Sequence, residues 1–126
     1  MAKRLSRKEA LAATQRWRET FAIRLFRATG RWCSDSDANT FPGTVARYAS
    51  NANAQAEYER APARSLVVRS DDVTADFIEC VDGMKPPFSE FAGHDLIINP
   101  PDCAWTLLTS HDDWTYFAYR EWVTDD

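Results

Sequence analysis

Two histidines and three aspartates near the C-terminal end of the chain come closest to a chemical site. They occur as His94 and Asp95, and as His111, Asp112 and Asp113. A hairpin between the two segments would bring both histidines to one end of a sheet, where imidazole and carboxylate groups can bind a divalent metal ion or work as an acid–base pair. The last two aspartates fall in a predicted turn, however, where aspartate is common because its side chain bonds to local backbone. We therefore predict no metal here and keep a metal-dependent hydrolase built on this cluster as an alternative.

The cysteines offer no second site. Cys33, Cys80 and Cys103 are an odd set with wide gaps, which matches neither a disulfide framework nor paired Cys-x-x-Cys zinc ligands. A nucleophilic thiol needs a nearby base, and Cys103 lies at the opposite end of its predicted strand from His111. The chain also lacks a nucleophile elbow, a phosphate loop and a dinucleotide fingerprint. We expect free structural thiols and no cofactor.

Charge is segregated along the chain. Residues 1–31 hold nine basic and two acidic side chains, a net +7 within a total of −4, which leaves −11 for residues 32–126. The basic segment predicts an acidic partner, for which nucleic acid is one candidate, and the acidic remainder predicts a partner protein with a basic face. Mutual neutralisation within the fold is the alternative. The basic residues are Lys3, Arg4, Arg7, Lys8, Arg16, Arg18, Arg24, Arg27 and Arg31.

Two helices are predicted in the N-terminal half. Ser6 and Glu9 have the spacing of a capping box, so a first helix should begin there and end near Gly30. Its predicted core row is Trp17, Phe21 and Leu25. A second helix should run from Pro42 to just before Pro62. Its predicted apolar stripe is Val45, Tyr48, Ala49, Ala52 and Ala56.

Five strands are predicted after these helices, over residues 65–69, 75–81, 95–99, 104–110 and 114–123. The order of helices followed by strands predicts an α+β domain spanning residues 1–126, with both helices packed on one face of a mostly antiparallel sheet. One domain of 126 residues is long enough to fold without a metal or a disulfide.

The predicted hairpin registers divide the last three strands into two faces. Pivots at Pro101 and at Asp112-Asp113 give an aliphatic face suited to the helices, comprising Leu96, Ile98, Thr106, Leu108, Phe117 and Tyr119. The opposite face is aromatic and charged, comprising Ile97, Trp105, Leu107, Tyr116, Arg120 and Trp122. A slip of one residue would exchange the faces.

The aromatic face is the predicted binding surface, because tryptophan, tyrosine and arginine dominate binding hot spots. The predicted partner-binding residues are Trp105, Tyr116, Arg120 and Trp122, with Asp95 among the acidic groups that steer a basic partner. Coverage of this face by loops or by a second copy of the chain is the alternative.

The chain shows no signal for export or membrane insertion. Its first residues are charged and lack the apolar region of a secretory signal, and no apolar run approaches the roughly 18 residues that span a bilayer. We expect a cytoplasmic protein with no membrane partner.

The C-terminal third carries one resemblance. Residues 95–117 include Asp102, Trp105-Thr106, Thr109-Ser110-His111-Asp112 and Tyr116-Phe117. This segment resembles the tail of a family of small uncharacterised bacterial proteins with an acidic residue before Trp-Thr, followed by Thr-His-Glu and Tyr-Phe. Here one residue separates threonine from histidine, and aspartate replaces glutamate. The resemblance implies a cytoplasmic α+β domain and no catalytic residue.

The function predicted from these observations is a small interaction domain, such as an inhibitor, an immunity-type protein or an adaptor. It would act through an acidic, aromatic sheet surface. The metal-dependent hydrolase and a nucleic-acid-associated protein that uses the basic first helix remain the alternatives.

Overall fold

The computed structural model describes residues 2–29, 49–70, 74–112 and 115–122, without the side chains of residues 22–29 and of Trp122. The described elements are β1 (Ala2–Arg4), α1 (Arg7–Thr29), β2 (Ala49–Ser50), α2 (Asn51–Arg60), β3 (Ser65–Ser70), β4 (Ala75–Glu79), β5 (Leu96–Asn99), β6 (Trp105–Thr109) and β7 (Thr115–Tyr119). Short 3-10 turns cover Val81–Gly83, Phe88–Glu90 and Arg120–Trp122.

The seven strands form one antiparallel sheet in the order β1-β4-β3-β5-β6-β7-β2. The predicted α+β class is confirmed, and a strand is present at each of the five predicted places. β3 extends one residue beyond its predicted range, and the other four lie within theirs. The two additional strands, β1 and β2, lie at the edges of the sheet. They escape sequence analysis because two or three residues are too few to show an alternating pattern.

The capping box at the start of α1 forms as predicted. The Glu9 N–H donates to Ser6 Oγ at 3.1 Å, and the Ser6 N–H donates to Glu9 Oε1 at 3.0 Å. Trp17 and Phe21 are fully buried, which confirms these two members of the predicted core row. The Trp17 indole donates to Thr106 Oγ1 at 2.9 Å, so α1 packs on the face of the sheet that carries Thr106.

The α2 helix packs on the opposite face through Ala54 and Tyr58, which are buried. The Tyr58 ring meets Trp105 edge-on, with 5.7 Å between ring centroids. The predicted stripe is wrong within this helix, since Ala52 is exposed and Ala56 only partly buried. Ala49 lies in β2, and the other predicted members lie in residues 42–48, outside the described residues.

The two helices therefore lie on opposite faces, and the prediction that both cover one face is wrong. The second described helix also follows β2 instead of preceding every strand. The physical reason is visible in β6, where every residue from Trp105 to Thr109 is buried. A strand buried on both sides needs a layer over each face, and its sequence need not alternate between apolar and polar residues.

The register of β6 differs from the prediction by three residues in the first hairpin and by one residue in the second. Both differences are odd, so each exchanges the faces of β6. Ile98 pairs with Leu107, and Leu107 pairs with Phe117, so all three lie on the α2 face. The prediction correctly put Ile98 and Phe117 on one face of the sheet. It assigned the residues of β6 to the wrong faces. The cause in the first hairpin is the β5–β6 turn, residues 100–104. There Cys103 has a φ of 54° and its N–H donates to the Pro100 carbonyl at 2.9 Å, which moves the pivot beyond Pro101.

Within the described ranges, neither helix combines the length and the apolar character that crossing a bilayer requires.

Candidate interaction surface at one end of the sheet

Trp105, the centre of the predicted binding face, lies in the core. Its side chain is 1% exposed and stacks on Phe117 with 5.4 Å between centroids. Its indole N–H donates to the Pro62 carbonyl at 3.0 Å. The exchanged face of β6 places this side chain under α2, so the prediction that Trp105 is exposed for docking is wrong.

The other predicted binding residues do not form a common face. Tyr116 pairs with Leu108 on the α1 side of the sheet and is partly buried. Arg120 is exposed just beyond β7, where its backbone N–H donates to the Ala104 carbonyl at 2.8 Å. The side chain of Trp122 lies outside the described residues. Among Trp105, Tyr116 and Arg120, only Arg120 is exposed, and it lies at the same end of the sheet as the groove described below.

Asp95 and His111 meet at the opposite end of the sheet from Arg120. The His111 Nδ1 lies 2.8 Å from each carboxylate oxygen of Asp95, and the His111 backbone N–H donates to Asp95 Oδ1 at 2.9 Å. This backbone hydrogen bond, followed by the imidazole contact, lowers the pKa of Asp95. The hydrogen bond to Asp95 and the charge of Asp112 raise the pKa of His111.

The structure brings together only part of the predicted histidine and aspartate cluster. Asp112 Oδ1 lies 3.3 Å from His111 Nε2, on the other side of the ring from Asp95. The His94 backbone carbonyl accepts the Thr109 hydroxyl at 2.7 Å, and Asp113 lies outside the described residues. No group of three histidine, cysteine, aspartate or glutamate side chains among the described residues has a geometry that could hold a metal ion. These contacts fasten the β6–β7 turn to the start of β5.

Cys80 and Cys103 are free and buried, as predicted for these two thiols. Burial raises the pKa of both, although nearby Lys85 opposes the shift at Cys80. A raised pKa keeps a thiol protonated and therefore a poor nucleophile. Cys33 lies outside the described residues.

A groove of about 630 Å³ opens at the end of the sheet that carries Arg120. It is lined by residues 62–65, by Gly83, and by Pro100, Pro101, Asp102 and Ala104 of the β5–β6 turn. Several carbonyl groups of this lining already accept hydrogen bonds from elsewhere in the chain: those of Pro62, Pro101, Asp102 and Ala104. The groove therefore offers mainly apolar contact and side-chain charge.

Two large apolar side chains stand exposed at the Gly83 wall. Val81 is 66% exposed and Met84 is 76% exposed, and with Leu11 on α1 they are the exposed large hydrophobic residues of the described chain. The turn between them is tight, because Asp82 and Gly83 both have positive φ and the Met84 N–H donates to the Val81 carbonyl at 3.0 Å. We call Val81 and Met84 the apolar rim. The sequence prediction did not include this rim. The signal that could have indicated it is the Asp82-Gly83 turn sequence between two apolar residues.

Lys85 anchors the segment that follows the rim. Its Nζ donates to the Ala61 carbonyl at the end of α2 and lies 4.9 Å from the centre of the Tyr58 ring. A lysine at this position complements the negative end of the helix dipole. Burial lowers the pKa of Lys85. The Tyr58 hydroxyl donates to the Pro86 carbonyl at 2.6 Å, which holds the next residue against the same helix.

The basic start of the chain forms a separate surface. Lys3, Arg4, Arg7 and Lys8 are exposed on β1 and the first turn of α1. Arg4 Nε lies 2.6 Å from Asp76 Oδ1, so one of these charges is neutralised within the fold.

Comparison of the chain with protein-family models, with curated proteins and with solved structures finds no match.

Proposed function

We propose that this protein is an interaction domain that binds a partner protein through the groove and its apolar rim. The observation that carries the proposal is the placement of Val81 and Met84. Two of the large apolar side chains exposed in the described chain flank one tight turn at the wall of the groove. Exposed apolar side chains beside a concave surface are typical of protein-binding sites.

The mode of binding follows from the lining of the groove. Because several of its carbonyl groups are already engaged, the partner is bound mainly through side-chain contacts and not by addition of a strand. Methionine suits this role, since its flexible thioether adapts to different apolar partners. The three prolines of the lining, at positions 62, 100 and 101, keep the walls stiff and reduce the entropy lost on binding.

The charge beside the rim favours a basic partner. Glu79 and Asp82 are exposed on either side of Val81. A partner segment with apolar residues next to a lysine or arginine would meet both features. Docking of this kind would serve an inhibitor, an immunity-type protein or an adaptor.

The test compares three proteins as bait in a lysate of the source organism: the wild type, a Val81→Ser/Met84→Ser double variant, and Leu11→Ser as a matched control. Leu11 is 47% exposed but lies on α1, away from the groove. A protein captured by the wild type is then purified, and its dissociation constant is measured with all three.

We expect the double variant to weaken binding at least tenfold, and the Leu11 variant to bind as the wild type does. Equal dissociation constants for the wild type and the double variant would refute the proposed site. Weakened binding by the Leu11 variant alone would place the interface on α1. Self-association of the wild type that the double variant loses would identify the occupant as a second copy of the chain.

A further inference from the structure

Three arginines from distant parts of the chain lie at the β5–β6 turn or in the groove beside it. Arg16, on α1, donates from Nη1 to the Pro101 carbonyl at 2.9 Å. Arg120, beyond β7, donates from Nη1 to the Asp102 carbonyl at 3.0 Å. Arg64, just before β3, lines the groove together with Pro101 and Asp102. Two guanidinium groups therefore bond to consecutive carbonyl groups of this turn, and Arg64 lines the groove beside it.

Within residues 2–29, 49–70, 74–112 and 115–122, no ion pair neutralises these guanidinium groups. Among the described residues, the ion pairs involve other side chains, and Arg64 makes no side-chain hydrogen bond. The carboxylate at this turn, that of Asp102, accepts the Ala104 N–H at 3.1 Å. All three arginines are exposed, and a hydrogen bond to one carbonyl leaves most donors of a guanidinium available.

The charges of two of the arginines also act on one buried group at the turn, the Cys103 thiol. Burial raises the pKa of this thiol. The charges of Arg16 and Arg120 act to lower it, and the charge of Asp102 acts to raise it. Both guanidinium groups are therefore within electrostatic range of one buried atom at the turn. Arg64 lines the groove beside this turn.

We infer that Arg16, Arg64 and Arg120, here called the arginine cluster, bind the carboxylate groups of an acidic segment of the partner protein. Guanidinium and carboxylate groups match as planar pairs with parallel hydrogen bonds. Several positive charges on one stiff proline turn fit a run of acidic side chains. The inference rests on the proposed function and deepens it, because the cluster stands at the turn that forms one wall of the groove, whereas Glu79 and Asp82 flank the apolar rim. A bound segment would place its acidic residues at Pro101 and its basic residue near Asp82.

The experiment titrates the isotope-labelled full chain with a terminally blocked hexaglutamate peptide and follows the arginine Nε–Hε resonances by NMR. We expect saturable shifts for the arginine cluster and none for Arg7, which is exposed on the first turn of α1. Arg64→Gln should weaken binding about tenfold, as expected for the loss of one charge-assisted contact. Arg7→Gln, which removes the same charge elsewhere, should bind as the wild type does.

Three results would overturn the inference: shifts of equal size at Arg7 and at the cluster, no saturable shift at the cluster, or tighter binding of a single-stranded DNA oligomer than of hexaglutamate. The Val81→Ser/Met84→Ser variant should bind hexaglutamate as the wild type does, because this probe has no apolar side chain. Failure of the arginine cluster is therefore distinguishable from failure of the apolar rim.

Discussion

Trp17 and Thr106 are joined across the interface between α1 and the sheet by a hydrogen bond of 2.9 Å from the indole N–H to Oγ1. The same hydroxyl donates to the Ile98 carbonyl at 3.1 Å, so one buried threonine links the helix to two neighbouring strands. Both partners are fully buried, which makes water a poor substitute for either bond.

Thr106→Val should lower the free energy of unfolding by about 1–3 kcal/mol, because it leaves the buried indole N–H without an acceptor while keeping the side-chain shape. Urea denaturation measures this change. In a Trp17→Phe background the same substitution should cost less, since the donor is already gone. Equal costs in the two backgrounds would contradict a coupling between these residues.

Phe21→Ala should lower the free energy of unfolding by about 3–5 kcal/mol, because it removes a fully buried aromatic ring. The matched control is Leu11→Ala on the same helix, which removes a half-exposed side chain and should cost much less. A melting temperature for Phe21→Ala that equals the wild-type value would show that this position is not part of the core.

The contact between Asp95 and His111 should stabilise the fold most at intermediate pH and less at both lower and higher pH. The pKa of His111 is raised in the fold, so its contribution is complete below the ordinary value of 6.5 and is lost as the pH rises through the raised value. The pKa of Asp95 is lowered, so its contribution is complete above the ordinary value of 3.8 and is lost as the pH falls through the lowered value.

The stability difference between the wild type and His111→Gln should therefore be larger at about pH 5.5 than at about pH 8.5. Urea midpoints of both proteins at the two pH values measure it. Because the pair is exposed, the difference should be small and should shrink further at high salt. The same difference at both pH values would mean that the imidazole charge plays no part.

The thiols should be free but poorly reactive. Titration of the denatured protein without reductant should find three free groups, one for each cysteine in the sequence. In the native protein Cys80 and Cys103 should react slowly, because both are buried with a raised pKa. An intramolecular disulfide found by peptide mapping would contradict this prediction.

Local features of this fold could be read from the sequence. Ser6 and Glu9 stand three residues apart and define the start of α1 without help from the rest of the chain. The five longer strands are rich in β-branched and aromatic residues and are bounded by turn residues, so their ranges were also predictable.

Features that depend on tertiary structure could not be read. Which face each β6 side chain occupies depends on the positive φ of Cys103. Cysteine is not a residue type that indicates this conformation in a sequence. The exposure of Val81 and Met84 depends on how the segment beyond β4 is tied to α2. Arg16, Arg64 and Arg120 are separated by dozens of residues, and only the fold brings them to the β5–β6 turn and the groove beside it.

The two edge strands, β1 and β2, determine whether this sheet can pair with the sheet of another molecule. One edge ends in β2, of which Ala49 and Ser50 are described. The other ends in β1, whose three residues include Lys3 and Arg4, both exposed. Two antiparallel copies that paired through β1 would bring the positive charges of their Lys3 side chains close together. The charge on the β1 edge therefore discourages growth of the sheet into fibrils from that side.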